Sequence, residues 1–453
     1  MSSLPPDSIA ERARKVEELI TKFSAYVENT CSSNLKPHLD IGTTYTEEPG
    51  KGAVVLLTGS TGYLGSYTLS SLLGASRVSK VYALNRKGSR ALKERQEASF
   101  LDKGLSASLL QDKRVTLLEA DLSMPHFGLP GPIFEEMKQK VNVVIHLAWP
   151  IVHTWPLERF EGAILGTCNL ICFTTLAHNA PNMRFLFGSS SATVLGWDSF
   201  SPVPEVVLHD TSFALAHSGY SEAKYVTERV LERASINSTT LRIGQLCGSR
   251  QNGAWNTQEW IPFIIKSGTT LKQMPLILGT VSWFPVDVAS QVVCEIALSE
   301  KHEVYPPVFN LVSPTPVMAQ EVIEMVQTAL LEQGITGLMV MKFIPVNSWL
   351  REAAQYVQAH GPTSVARVPV VKISHAVRNL LAYEKASYAR KDIPITDMKE
   401  YGRGGPFLTE NGKVWSQTFR EITELEREDV RGWIAYWDKK GLFNNVVGSK
   451  AKL

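Results

Sequence analysis

The chain has 453 residues, 44% of them hydrophobic and 20% charged, with a formal net charge of +2. That length holds two domains, or one large domain with an appended lobe, and the composition is that of a globular chain without low-complexity tracts. The near-neutral balance gives no reason to expect nucleic acid or general membrane attraction, and no apolar run reaches the roughly eighteen residues of a membrane helix. The N-terminal Met1-Ser2-Ser3-Leu4-Pro5-Pro6 lacks the apolar core of a secretory signal. Cys31, Cys168, Cys172, Cys247 and Cys294 are odd in number and form no pair of Cys-x-x-Cys elements, which favours a reducing, cytoplasmic setting with no structural metal. Cys168 and Cys172, four apart on a predicted helix, read as buried thiols.

In chain order, residues 1–50 read as an appendage. Ala13, Val16, Leu19, Ile20 and Phe23 give Ile9–Tyr26 helical periodicity, and Asn34–Lys51 has linker composition. From Val54 the pattern becomes strand, helix, strand. Predicted strands fall at Val54–Leu57, Val81–Leu84, Val115–Leu118, Val143–Leu147, Phe185–Phe187 and Thr240–Ile243, with Val308–Val312 as one more. Helices such as Phe160–Leu176 and Ser221–Ala234 separate them. Short apolar strands alternating with helices predict a doubly wound parallel sheet of Rossmann type, residues 51–312, covered on both faces. Beyond Ser313 the alternation fades, and residues 313–453 read as a smaller, mostly helical substrate lobe closed by a helix within Glu421–Lys440. Residues 250–282, with Trp255 and Trp260, are assigned to a cleft between the two. Trp255, Trp260, Trp283 and Trp349 are candidates for an aryl pocket, with ordinary core packing as the other reading.

The first strand runs into Thr58-Gly59-Ser60-Thr61-Gly62-Tyr63-Leu64-Gly65 and then into a helical stretch. Strand, glycine turn and helix together read as a dinucleotide phosphate loop, with an ordinary glycine-rich turn of an α/β protein as the other reading. Gly59 allows the tight turn, Gly62 lets backbone approach a pyrophosphate, and Gly65 lets the helix pack close to the strand. The spacing is Gly-x-x-Gly-x-x-Gly, not the commoner Gly-x-Gly-x-x-Gly. The second strand ends in Asn85-Arg86, where an NAD site carries an acid for the ribose hydroxyls. An arginine there suits a 2′-phosphate, so NADPH is the expected cofactor. Lys87, Arg90, Lys93 and Arg95 read as a solvated basic face. Asp121, followed by Leu122, is a candidate for the adenine amino group, with capping as the alternative. Ala148 leaves room for the cofactor after the fourth strand, and His146 reads as structural.

Tyr220 and Lys224 stand four apart on a predicted helix, so their side chains share a face. A phenol exchanges protons poorly at neutral pH, and a nearby ammonium favours its ionised form. The Ser189-Ser190-Ser191 run after the fifth strand offers a hydroxyl to the same reacting oxygen, Ser191 first and Ser190 second.

The loop Thr58–Gly65, Asp121, the serine run and the Tyr220/Lys224 pair together resemble an extended short-chain dehydrogenase/reductase. Ser189–Val194 is similar to the segment around the catalytic serine of UDP-galactose epimerases. More closely, residues 54–312 resemble the terminal thioester reductase domains of fungal non-ribosomal-peptide-synthetase-like carboxylic acid reductases and of some polyketide synthases. The matching pieces are Leu84-Asn85-Arg86, Gly219–Lys224, Leu241-Arg242-Ile243-Gly244-Gln245 and Trp283-Phe284-Pro285-Val286-Asp287. The resemblance implies NADPH-dependent release of an acyl thioester from a phosphopantetheinyl carrier domain as an aldehyde, or further to the alcohol. It gives Ser191, Tyr220 and Lys224 the catalytic roles, with Lys224 also on the nicotinamide ribose, and makes residues 1–50 the linker after a carrier domain. An extended reductase or epimerase acting on a free small molecule is the alternative. A non-catalytic NADP-binding sensor would have no use for Tyr220, Lys224 and a serine together.

Overall fold

The computed structural model describes residues 6–32, 52–197, 201–215, 218–301, 305–381 and 405–444; the predicted linker Asn34–Lys51 lies outside them. Seven strands form the main sheet: β1 (Ala53–Thr58), β2 (Val78–Asn85), β3 (Val115–Glu119), β4 (Val143–His146), β5 (Arg184–Ser190), β6 (Ser238–Ile243) and β7 (Val308–Leu311). Their order is β7-β6-β5-β4-β1-β2-β3, and every pairing is parallel. The chain leaves β1 toward β2 on one side and returns to β4 on the other. The carboxyl ends of β1 and β4, Thr58 opposite His146, are therefore the switch point where a doubly wound sheet takes its ligand.

Both faces of the sheet are covered, which is why its strands read as apolar runs. On one face lie α1 (Pro6–Ser32), α4 (Gly131–Lys140), α5 (Glu161–Leu176) and α6 (Gly219–Arg233). On the other lie α2 (Tyr63–Gly74), α3 (Leu92–Asp102) and α8 (Val286–Ala297). The N-terminal helix is part of this core. Val16, Ile20, Phe23 and Val27 are buried against α5 and α6, so its apolar stripe has a partner within the domain.

A second core joins Trp255, Trp283 and α7 (Trp260–Leu271) to α9 (Ala319–Glu332), α10 (Val346–His360) and α11 (Arg427–Lys439). Trp255, Trp283 and Trp349 are buried here, so they belong to the lobe's interior. Trp260 is only half-buried. Residues 415–422 return to the nucleotide sheet, where Trp415, Phe419 and Ile422 pack with α8 and β7. No described helix is long and apolar enough to cross a membrane.

Candidate active site

The glycine loop is built for close backbone approach. Gly59 has φ +79°, and a Cβ there would lie 2.9 Å from Ala148 backbone atoms. A Cβ on Gly65 would lie 2.1 Å from the Gly59 carbonyl oxygen, so helix and turn meet in a way only glycine permits. Gly62 precedes α2 and supplies no side-chain cap, leaving the N–H groups of the first turn directed at the space beyond the strand ends. A dinucleotide pyrophosphate fits this cradle. Asn85 is buried and turned inward. Its Oδ1 accepts from the Thr61 amide and hydroxyl, each at 3.1 Å, and its Nδ2 donates to Ser60 Oγ at 2.7 Å. Ser60 in turn donates to Gln96 Oε1 at 2.7 Å. Asn85 thus buttresses the loop, a role for which only its place at a strand end was visible in sequence.

Arg86 is exposed just past β2. Its carbonyl and that of Arg90 accept from the Arg95 guanidinium, each at 3.0 Å, and Arg95 also reaches Glu119. Arg95, read from sequence as part of a solvated face, instead shapes the turn that presents Arg86. Asp121 caps a turn, accepting from Ser123 N at 3.0 Å and Ser123 Oγ at 2.6 Å. The next carbonyl, Leu122, accepts from Asn169 Nδ2.

At the switch point Thr58 Oγ1 accepts from the amides of Leu147 and Ala148 and lies 2.7 Å from His146 Nδ1; His146 Nε2 lies 3.0 Å from Thr167 Oγ1. Thr167 spends its proton on the Ala163 carbonyl. It must therefore accept from Nε2–H, leaving Nδ1 to accept from Thr58. Burial, with Lys224 nearby, pulls His146 down to about 3, consistent with this neutral tautomer. His146 is thereby held as a structural anchor for Thr58.

α6 carries Tyr220 and Lys224. It begins at Gly219, where a Cβ would lie 2.5 Å from Leu157 N and Trp155 O; the small residue lets the helix start flush with the loop after β4. Tyr220 is buried, its ring edge-on to His153 and Phe160. Burial pushes the phenol up to about 12, and a hydrogen bond with the Ser190 side chain partly offsets this. Lys224 Nζ donates to the Gly188 carbonyl and lies 4.1 Å and 4.6 Å from the ring centres of Trp149 and Phe187. Burial pushes its pKa well down. The expectation that Lys224 lowers the Tyr220 pKa is therefore not met in the protein alone, because desolvation dominates at both groups. The serine whose side chain lowers the Tyr220 phenol against burial is Ser190. Ser191 opens the next short turn, Ser191–Val194, for which Ser190 Oγ is the cap.

Beneath the serines lies a buried ion pair that sequence reading missed. Glu228, two turns on from Tyr220, meets Arg242 of β6 at 2.8 Å, with both side chains fully buried. Its Oε1 accepts from Ser189 Oγ at 2.5 Å and from Thr193 Oγ1 at 3.1 Å. This carboxylate joins the helix of Tyr220 and Lys224 to the serine turn and to the neighbouring strand. The Tyr220-to-Glu228 spacing of eight was the available signal. A second polar cluster lies just beyond the end of β6. Gln245, two residues past the Ile243 that pairs with Ser190, donates to Glu259 Oε2 at 3.3 Å and accepts from Trp260 Nε1 at 2.7 Å. Trp255 Nε1 donates to the same Glu259 oxygen at 2.9 Å, and burial raises Glu259 to about 7.

A seven-stranded parallel sheet with a glycine phosphate loop at β1 and a Tyr–Lys helix beside β5 defines a nicotinamide-dinucleotide-dependent oxidoreductase of the extended short-chain type. Residues 57–293 match the NAD-binding family described as "Male sterility protein", and the chain belongs to that family. It is 36% identical over 443 residues to the adenylate-forming reductase Nps11 of Serpula lacrymans var. lacrymans (strain S7.9), a match covering 96% of this chain and 39% of that one. The chain spans well under half the length of the first curated relatives it matches. Among solved structures, the terminal R domain from the myxalamid PKS-NRPS biosynthetic pathway aligns with TM-score 0.70 at 19% identity, covering 92% of this chain and 98% of that one. A thiolation-reductase di-domain from an archaeal non-ribosomal peptide synthetase aligns with TM-score 0.63 at 17% identity, covering 86% and 76%.

Proposed function

We propose that this chain is the NADPH-dependent reductase unit that releases an acyl thioester, delivered by a phosphopantetheinyl carrier domain in the cytoplasm, as an aldehyde. The observation that carries the reading is the buried Tyr220 phenol, eased by the Ser190 side chain and one helical turn from the buried Lys224. The names of the adenylate-forming reductase and of the thiolation-reductase di-domain support the thioester and the carrier. Gly59, Gly62 and Gly65 would hold the pyrophosphate and Asp121–Leu122 and Ala148 flank the adenine and nicotinamide halves. Arg86 would take the 2′-phosphate, where an acid would repel it.

NADPH supplies the hydride when bound. Tyr220, kept protonated by burial, donates its hydrogen bond to the acyl oxygen as negative charge develops there, with a serine hydroxyl as the second donor. Ser190 holds the phenol in place and Ser191, at the mouth of the turn, is the proposed second donor. Lys224, whose Nζ rests on the Gly188 carbonyl, would turn to the nicotinamide ribose. Collapse of the hemithioacetal then breaks the C–S bond, giving the aldehyde and the free pantetheine thiol.

The test follows NADPH oxidation with one acyl group in three forms: on a carrier protein, on a small soluble thiol, and as the free acid. The carrier-bound form should give the highest kcat/KM, because tethered delivery adds effective concentration and contacts, and the acid none. Efficient turnover of a free ketone or nucleotide sugar without any thioester activity would replace this reading with the small-molecule reductase. In the same assay Arg86→Ala should erode the preference for NADPH over NADH; an unchanged ratio removes Arg86 from the site.

A further inference from the structure

Three cysteines converge where α1 meets α5. Cys31 stands next to the C-terminal residue of α1, and Cys168 and Cys172 are one turn apart on α5. All are reduced and buried, but they are not equivalent. The sulfurs of Cys31 and Cys172 are in direct hydrogen-bond contact at 2.9 Å. Cys31 keeps 8% of its surface exposed and Cys172 5%, whereas Cys168 has none. Hydrogen bonding with Cys172 draws the Cys31 thiol down to about 7, and the same bond drives Cys172 up. Burial raises Cys168 to about 12. At neutral pH Cys31 thus has thiolate character with a second sulfur in contact, the arrangement in which a cysteine pair oxidises reversibly.

The position of the pair gives the bond a consequence. Among the described residues α1 meets the domain through its side chains, among them its apolar stripe, the Arg12–Glu222 ion pair, and Tyr26 donating to Asn169 at 2.8 Å. Asn169, one turn before Cys172, also holds the Leu122 carbonyl three residues past β3. A bond between positions 31 and 172 would staple the last turn of α1 to the helix that supports this edge of the nucleotide site, closing a loop of 141 residues.

We propose that Cys31 and Cys172 form a reversible dithiol–disulfide site that fastens α1 to α5 when the protein meets a low-molecular-weight disulfide. The Cys31 thiolate attacks one sulfur of R–S–S–R, whose S–S bond breaks and releases R–S⁻ to take up a proton. Cys172 then loses its proton and attacks the Cys31 sulfur of the mixed disulfide, expelling the second R–S⁻. Two cysteine thiols lose two electrons and two protons, and R–S–S–R becomes two R–SH.

The full chain is incubated with oxidised glutathione, alkylated under denaturing conditions, and mapped by mass spectrometry. The expected product is one peptide pair linked through Cys31 and Cys172, with Cys168 alkylated. Its melting temperature should rise by several degrees and fall back with dithiothreitol, since a crosslink over so long a loop restricts the unfolded chain. Cys31→Ser and Cys172→Ser should lose both the link and the shift, and Cys168→Ser should keep both. A Cys168–Cys172 link, a stable glutathione adduct on Cys31, full alkylation of all three, or a link without a melting shift would each overturn the proposal. The wild-type map decides the pairing even if a variant folds poorly.

Discussion

Burial acts on Tyr220 and Lys224 in opposite chemical senses: it keeps the phenol protonated and discourages the ammonium. For reduction that suits the phenol, which must give a hydrogen bond to an oxygen gaining charge. Tyr220→Phe should leave the fold and cofactor binding intact and lower kcat by about 10²–10⁴, the usual worth of a positioned acid. Near-normal turnover would sink the assignment. Alanine at Ser190 and at Ser191 separates two roles. Ser191→Ala should lower kcat as a lost oxyanion donor, whereas Ser190→Ala should act through Tyr220 and shift the alkaline limb of the pH profile upward, because the bond that eases phenol ionisation is gone. Equal profiles for the two variants would contradict this division. Glu259 supplies a pH signature of stability. Its folded pKa is raised from the usual 4.5 to about 7, so its contribution is present below the unfolded value and is lost as pH rises through 7. Both donors converge on Oε2, so a glutamine can keep them. Glu259→Gln should melt close to wild type at acid pH and above it on the alkaline side of 7; parallel melting curves at every pH would show that the carboxyl ionises without penalty.

At the scale of elements, α1 shows how a helix that reads as an appendage becomes structural. Its stripe of Val16, Ile20, Phe23 and Val27 is closed by α5 and α6, and Ile20 has no exposed surface. Ile20→Ala should cost about 2–5 kcal/mol in chemical denaturation, the range for emptying a buried aliphatic site. A loss under 1 kcal/mol, roughly that of a tolerant surface position, would mean the helix is only loosely docked. The surrounding ion pairs, such as Lys15–Glu158, are exposed and add little. The periodicity that revealed this helix also revealed the seven strands and α6, because strands buried on both faces and a helix with one catalytic face leave plain patterns. The glycine loop was equally legible, since Gly59 and Gly65 stand where backbone contacts forbid a Cβ. What sequence could not show were pairings across long separations. Asn85 reads as a missing acid until its amide is seen gripping Thr61 and Ser60. Arg95 reads as solvated charge until its guanidinium is seen folding the Arg86 turn. Glu228 and Arg242, fourteen residues apart on a helix and a strand, meet only once both elements flank β5.

The molecule as a whole is tied together by side chains that cross between its two cores. Tyr63, inside the phosphate loop, donates to the carbonyls of Cys247 at 2.9 Å and Ala254 at 2.7 Å, both on the segment leading to the lobe. Arg250 reaches the Thr423 and Glu424 carbonyls, each at 2.9 Å. Tyr436 of α11, the lobe's closing helix, and Lys440 just after it reach back to Asp102 at the end of α3. Trp255 lies edge-on to Trp283 and Trp433, so the second core that these ties reach is packed with large rings. A nucleotide bound at the loop would therefore also restrain the lobe, through Tyr63. Calorimetry should show one unfolding transition, and saturating NADPH should move it as a unit. A ligand at a hundred times its Kd stabilises the folded state by about 2.7 kcal/mol. Tyr63→Phe removes both hydroxyl bonds while keeping the ring, and should split or broaden the transition in the presence of NADPH, with the lobe melting first. Two separate transitions in the wild type, only the earlier one responding to NADPH, would show that the cores unfold independently despite these ties.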